Sequence, residues 1–425
     1  MAQQTPLERN RYIDFLRAAS ILVVVMGHWL MATAHQTDEG FALGHLLGIQ
    51  PTTQWLTWIF QVMPLFFMVG GFSNSISWRS ATRKGLSYSH WLSNRMQRLV
   101  GPMVPLMLFW GVTAGIAFIF GEAVTVIQIG TQMALIPLWF LAVYVLVVAL
   151  TPATLGLWDR YGLGSIVAMA ALAVAVDVLV FQFGIRAAGW SNYAFLWLTV
   201  HQLGYAWRDE RLTGTAAPLG VAGVGLVALL WMTQMGPYSL SLVGAPNDSV
   251  SNTTPPKLPL LALAIFHSGL LLAVQRPVRR WLEGDRPWAA TIIMNRVIMT
   301  VFLWHLTPLT LLIAVGYWSG GMGFSLIPGS SLWWSLRPLW MLGLIAALTP
   351  FVVIFNRFET APPRKPASYS VLRLIVGVGF VTMGLAYLAL DGVHLLGITD
   401  IRSYALAFPL LGAWLVGAWP QLRRH

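Results

Sequence analysis

Two ionisable side chains in the first apolar stretch are the residues on which chemistry could be built. Arg11-Tyr-Ile-Asp-Phe-Leu-Arg17 runs directly into Ala18-Ala-Ser-Ile-Leu-Val-Val-Val-Met-Gly-His28. On a helix, the eleven steps from Arg17 to His28 leave them about 20° apart on one face, with His28 about 16 Å deeper. Ionisable groups at such depth are costly in a bilayer, and they commonly mark a functional site. A buried histidine that stays neutral can serve as a general base. The competing reading is a packing histidine that hydrogen-bonds a neighbouring backbone carbonyl. Asp14, three residues before Arg17, can pair with it on the first turn. That pair is either a structural ion pair at the helix mouth or a device that turns Arg17 toward a cavity containing His28.

Three further groups carry potential chemistry. Arg95 and Arg98, within Asn94-Arg-Met-Gln-Arg-Leu-Val-Gly-Pro102, are spaced i to i+3. Two guanidinium forks on one face can grip a diphosphate, whereas arginines that merely snorkel to lipid headgroups are the alternative. Pro137-Leu-Trp-Phe-Leu-Ala-Val-Tyr144 places Trp139 and Tyr144 at the outer end of an apolar segment. They belong either to an interfacial aromatic belt or to the mouth of a substrate cavity. Phe302-Leu-Trp-His-Leu-Thr-Pro308 sets His305 inside another apolar segment just before a kink-prone Thr-Pro. His201 and His267 read as packing residues, and Asp177 has no evident partner. No P-loop or dinucleotide fingerprint occurs, and no two histidines have a zinc-like helical spacing. No metal site is expected.

The elements that must position these residues are membrane helices. The 425-residue chain is 57% hydrophobic and 10% charged, with a mean hydropathy of +0.68. Soluble chains keep about a quarter of their residues charged, so the fold class expected is an all-α polytopic integral membrane protein. Apolar runs suggest twelve spans, at about 15–34, 55–77, 100–120, 137–155, 165–185, 191–207, 216–235, 258–275, 291–316, 333–355, 370–388 and 403–420. Pro64 and Gly70-Gly71 interrupt the second of them. The net charge of +11 would point to nucleic acid in a soluble protein. Here it sits in short connections: with the N-terminus inside, 22 of the 26 Lys and Arg fall on the cytoplasmic side, leaving Arg186, Lys257, Arg337 and Arg402 outside. That asymmetry predicts both termini in the cytoplasm.

The absence of cysteine excludes disulfides and thiolate chemistry. The first apolar helix has no convincing cleavage site and is expected to remain as a span. The stretch 236–257, rich in Gly, Pro, Ser and Asn, reads as a flexible outer loop. Its Asn247 and Asn252 triplets match the glycosylation pattern, which two triplets in a polar loop can do by chance. Residues 360–366 read as a cytoplasmic linker. A single transmembrane domain over 1–425 is expected, with no appended soluble domain.

Together these motifs resemble the membrane-bound acyltransferase family 3 of bacteria, which O-acylates envelope sugars, peptidoglycan and lipids. The resemblance rests on Arg17-x10-His28 in its Asp14-Phe-Leu-Arg17 context, Pro64-Leu-Phe-Phe-Met-Val-Gly-Gly-Phe72, Arg95-x2-Arg98, Trp139-Phe-Leu141 and Phe302-Leu-Trp-His305. It spans about 300 residues in the family's order; beyond them only hydropathy agrees. Members commonly have ten core helices, so two of the twelve are extra or miscounted. Where members tend to read Ser-Gly-Phe, this chain reads Gly70-Gly-Phe72, which removes a hydroxyl contact. The resemblance implies transfer of an acyl group, acetyl foremost, from cytoplasmic acyl-CoA to a hydroxyl of an envelope glycan, glycolipid or lipid, at the bacterial cytoplasmic membrane. His28 would be the catalytic base, with a covalent acyl-histidine the less favoured route. Arg17, Arg95 and Arg98 would hold acyl-CoA, with Asp14, Trp139, Tyr144 and His305 in support. Acyl-CoA is a donor substrate, no permanently bound cofactor is expected, and membrane lipids but not nucleic acid are the expected partners. A secondary transporter, or a flippase of envelope precursors, is the rival class. It suits the helix number and the intramembrane charges, but the chain has no internal repeat and no matched pair of broken helices.

Overall fold

The computed structural model describes residues 10–246, 248–359, 369–394 and 404–419. Asn247, Arg9, Arg402, Arg423, Arg424 and the linker at 360–366 lie outside the described residues. In lipid, every backbone polar group must be satisfied within the chain, which favours helices throughout. Helix α1 (Arg11–Met31) starts where the Asn10 side chain accepts a hydrogen bond from the Ile13 amide. Its 21 residues span about 31 Å. Its first turn is anchored from outside, since Tyr12 donates its hydroxyl to the Leu271 carbonyl at 2.7 Å and Arg11 reaches the Leu282 carbonyl at 2.8 Å.

Beyond α1 the chain departs from a purely helical plan. Strands β1 (Ala32–Thr37) and β2 (Gly40–His45) form an antiparallel hairpin, with Gly40 at φ +125° supplying the turn. The amide of Gln36 extends the hairpin onto the Phe324 carbonyl. Short helices α2 (Leu46–Ile49) and α3 (Thr57–Phe60) follow, then α4 (Met63–Arg83). Pro64 occupies the first turn of α4, where a missing amide costs nothing, so it starts this helix rather than breaking it. The Gly70-Gly71 pair also lies within continuous helix.

Helices α5 (Tyr88–Val100) and α6 (Met103–Ile119) meet at a 43° bend. The chain continues through α7 (Val124–Leu135), α8 (Leu138–Tyr161), α9 (Leu163–Phe183), α10 (Asn192–Arg208) and α11 (Ala216–Gln234). Helices α12 (Leu258–Ala273) and α13 (Gln275–Trp281) meet at 54°, followed by α14 (Asp285–Asn295), α15 (Ile298–Trp304) and α16 (Leu306–Trp318). Last come α17 (Ser331–Glu359), α18 (Val371–Asp391) and α19 (Ala407–Leu415).

Among the described residues, eight helical spans are long and apolar enough to cross a membrane, and ten if each bent pair is one span. The two further stretches expected from hydropathy are α10, of 17 residues, and α19, of nine. The protein is a multi-pass, helical membrane protein. Its outermost helices α9, α11 and α17 leave Val167, Val224, Leu339 and Val353 exposed, as a lipid-facing surface does.

Glycines decide how closely the central helices approach. A β-carbon on Gly71 would overlap the His201 carbonyl oxygen, and one on Gly204 would overlap the Met68 carbonyl oxygen. Helices α4 and α10 therefore cross backbone to backbone, as small residues permit in membranes. At Gly70 a β-carbon would stand 2.7 Å from the Tyr144 ring, so a serine there would displace Tyr144.

The stretch 236–257 is not the free loop its composition suggests. Asn252 donates to the carbonyls of Ser239 and Ser241 at 2.7 and 2.8 Å, and the Gln61 amide reaches the Leu242 carbonyl at 2.9 Å. Asp177 is its anchor. It accepts from Asn192 at 3.0 Å, from the Tyr238 hydroxyl at 2.9 Å and from the Leu258 amide at 3.0 Å. A buried carboxylate bonded three times holds the loop against the bundle.

Candidate active site

Helix α1 and the broken helix α15–α16 bring two histidines together. His28 Nδ1 lies 2.8 Å from His305 Nε2, with ring planes 4° apart. His305 Nδ1 lies 2.7 Å from the Phe302 carbonyl oxygen. A carbonyl only accepts, so His305 Nδ1 carries the proton. In a neutral ring His305 Nε2 is then bare, and His28 Nδ1 must donate to it. The chain of bonds therefore leaves the lone pair on His28 Nε2. His305 occupies the break between α15 and α16, one turn before Pro308, whose ring removes an interior amide from the ladder. Trp29 pins that break to α1 through a 2.8 Å bond from its indole to the His305 carbonyl.

His28 lines a cavity of about 430 Å³ that also receives His45, Trp139, Phe140, Phe302 and Trp334. It opens toward the end of the molecule built from the β-hairpin, the turn at 51–56 and the 236–257 stretch, whose Val243, Gly244, Thr253 and Thr254 form part of the wall. His45 was not singled out in the sequence. It caps α2 by accepting from the Leu47 amide through Nδ1 at 3.3 Å, which leaves the Nε2 hydrogen as its donor. Burial pulls the His45 imidazole below its usual range, so its neutral form predominates. Its position depends on a hairpin that hydropathy does not reveal.

Arg17 stands at the opposite end of α1. Its guanidinium gives two bonds to Asn295 Oδ1, at 2.9 and 2.6 Å, and approaches Asp14 at 3.4 Å. Asn295 is itself held by the carbonyls of Asp14 and Thr291, at 2.9 and 2.8 Å. Asn295 is thus a stronger orienter of Arg17 than Asp14, and no local pattern announces it because 278 residues separate the two. Arg95 lies within electrostatic reach of Arg17, Arg98 and Tyr144. Its Nε is buried without a hydrogen-bond partner among the described residues, while Arg98 is exposed. Arg17, Arg95 and Arg98 therefore lie at one end of the molecule, and none of them lines the histidine cavity.

An aromatic layer lies between the two regions. Tyr144 stacks on Phe140 at 5.4 Å, and Phe140 meets Phe302 edge to face at 5.7 Å. Trp139 lines the cavity, but Tyr144 belongs to this layer instead. Asn74 joins it to α10, with its amide nitrogen 3.4 Å from the Tyr144 hydroxyl and 3.2 Å from His201 Nε2. His201 is thereby part of a polar network rather than a plain packing residue. His267 does pack, with Nε2 2.9 Å from the Trp58 carbonyl.

A family model described as an acyltransferase domain, acyltransferase family 3, matches residues 10–357. The chain belongs to the acyltransferase 3 family. No curated protein and no solved structure matches it. The family match runs from the N-cap of α1 to near the end of α17, so it takes in both histidines, the arginine cluster and the aromatic layer. This acyltransferase therefore carries all of its candidate residues inside the region that defines the family.

Proposed function

We propose that this membrane acyltransferase moves an acyl group, acetyl foremost, from a coenzyme A thioester to a hydroxyl of an envelope glycan, glycolipid or lipid. The observation that carries the reading is the His28–His305 bond, because it leaves His28 Nε2 unprotonated at the wall of a cavity. Arg95 and Arg98 hold the donor phosphates as paired, charge-assisted donors, with Arg17 fixed beside them by Asn295. By the positive-inside rule this arginine end faces the cytoplasm of a bacterium, both termini with it. The thioester arm passes the aromatic layer toward His28, and the acceptor enters through the cavity from the other side.

In the transfer itself, the acceptor oxygen gives its proton to His28 Nε2 as it bonds to the thioester carbonyl carbon. His28 Nδ1 keeps its bond to His305 Nε2, so the positive charge is shared across the pair. The carbon–sulfur bond then breaks, and the proton returns from His28 to the departing thiolate, giving the ester and free coenzyme A. Both substrates and products balance without a further reactant.

The test is purified protein in nanodiscs made with an envelope lipid extract and supplied with labelled acetyl-CoA. Label in the lipid or glycan fraction, matched by free thiol, is the expected result, with a loss of about 10²–10⁴-fold in His28→Ala. Thiol release that is absent with every acceptor fraction removes the donor assignment and returns weight to transport. Near-normal turnover by His28→Ala removes the base while leaving the family membership intact.

A further inference from the structure

A second cavity, of about 450 Å³, lies between α16 and α17 under β1. Its lining is apolar, including Leu309, Phe324, Leu336 and Leu339, with a single cation, Arg337. Leu336 and Leu339 are 40% and 66% exposed, so the cavity opens on the lipid-facing side of α17. Arg337 does not reach outward as a snorkelling arginine would: it is only 8% exposed. Its guanidinium carbon stacks 3.7 Å over the Trp333 ring, and Nη2 donates to the Ala32 carbonyl at 2.9 Å. Nε is buried with no partner among the described residues. A buried guanidinium that keeps an unused donor, inside an apolar groove open to the bilayer, has no anionic partner among the described residues.

We propose that Arg337 and this groove bind the phosphate of an anionic lipid, with the lipid's chains lying along α17. The guanidinium supplies charge-assisted bonds to phosphate oxygens, Trp333 holds its plane, and the leucines and Phe324 receive the chain. The place is next to the catalytic cavity. Trp333 lines the groove, its neighbour Trp334 lines the cavity of His28, and their rings meet at 4.9 Å and 90°. Ala32, which Arg337 holds, follows α1 directly, four residues beyond His28. The shared chemistry is a phosphate on apolar chains, and it has two sources: a bulk phospholipid that stays bound, or a lipid-phosphate carrier that presents the acceptor sugar. Binding itself does not depend on the acyl-transfer reading.

Full-length protein in detergent, examined by native mass spectrometry with phosphatidylglycerol or phosphatidylcholine, tests this. Wild type should retain phosphatidylglycerol in preference, and Arg337→Gln should weaken that binding about 10- to 100-fold. Gly343→Phe is the companion, because Gly343 lines the groove and a β-carbon there meets nothing. It should block the lipid while leaving Arg337 in place, and it keeps the test open if Arg337→Gln fails to fold. Equal retention of both lipids by wild type, or undiminished phosphatidylglycerol in Gly343→Phe, overturns the site. Displacement of phosphatidylglycerol by a polyprenyl phosphate identifies the carrier as the source, and resistance to displacement identifies the phospholipid.

Discussion

His305 makes a prediction that separates proton relay from simple packing. His305→Gln keeps an oxygen that can accept from His28 Nδ1, whereas His305→Leu removes every acceptor. Turnover should fall about 10²-fold or more in the Leu variant and markedly less in the Gln variant, with the KM for acyl-CoA unchanged in both. Equal losses in the two variants would make His305 a space-filler. At the other end of α1, Arg95→Ala should weaken acyl-CoA binding about 10- to 100-fold, and Arg95→Lys should restore little, since a point charge is not a fork. Arg98, being exposed, should cost less. Unchanged affinity in the Arg95→Ala, Arg98→Ala double variant returns these residues to lipid headgroups. That Arg17 and His28 share α1 was legible because one apolar segment carries both; that they serve separate ends of the molecule was not. Asn295 and His45 were not, because each reaches its site through contacts far apart in sequence or through a hairpin that the hydropathy of 32–45 conceals.

Among the helices, the α4–α10 crossing is the contact most sensitive to a single atom. Gly71→Ala or Gly204→Ala forces a methyl group into a facing carbonyl, and overpacking of this kind costs about 1–3 kcal/mol or more. Both should lower the thermal midpoint in detergent, while Gly223→Ala, which meets open space, should not. A normal midpoint for Gly71→Ala would mean the crossing is looser than its backbone contacts indicate. Of the twelve stretches hydropathy marked, eight are long apolar helices and two are bent pairs among the described residues, since lipid demands such helices whatever the tertiary contacts. The break it placed near Pro64 does occur, at 61–62, with Pro64 in the first turn of the helix that restarts there, whereas Gly70-Gly71 interrupt nothing. Composition misread 236–257, where the Tyr238 hydroxyl bonds to Asp177 and the backbone of Leu242 bonds to Thr57 and Gln61.

At the scale of the whole molecule, the charge asymmetry predicts that the arginine end meets the cytoplasm. The chain has no cysteine, so single introduced thiols report sidedness without background. Thr213→Cys, exposed between α10 and α11, should react with a membrane-impermeant maleimide only in inverted vesicles. Ser249→Cys, exposed in the 236–257 stretch, should react in intact spheroplasts. The reverse pattern would put the arginine end outside, where no coenzyme A is available, and the donor assignment would fall with it. The charge asymmetry that predicts the orientation was readable residue by residue, whereas the groove at Arg337 was not. That arginine counted only as one of four cations on the minority side until its burial was known.

One consequence follows from where His305 sits. It stands at the one-residue interruption between α15 and α16, with its own amide still bonded to the Val301 carbonyl at 3.0 Å, so its ring follows the placement of both helices. Lengthening the 2.8 Å contact with His28 would free the His28 proton to choose either nitrogen. The tautomer of a side chain on α1 is thereby tied to a ring on another helix. A substitution that shifts this interruption should therefore change which His28 nitrogen is bare without altering any residue of α1.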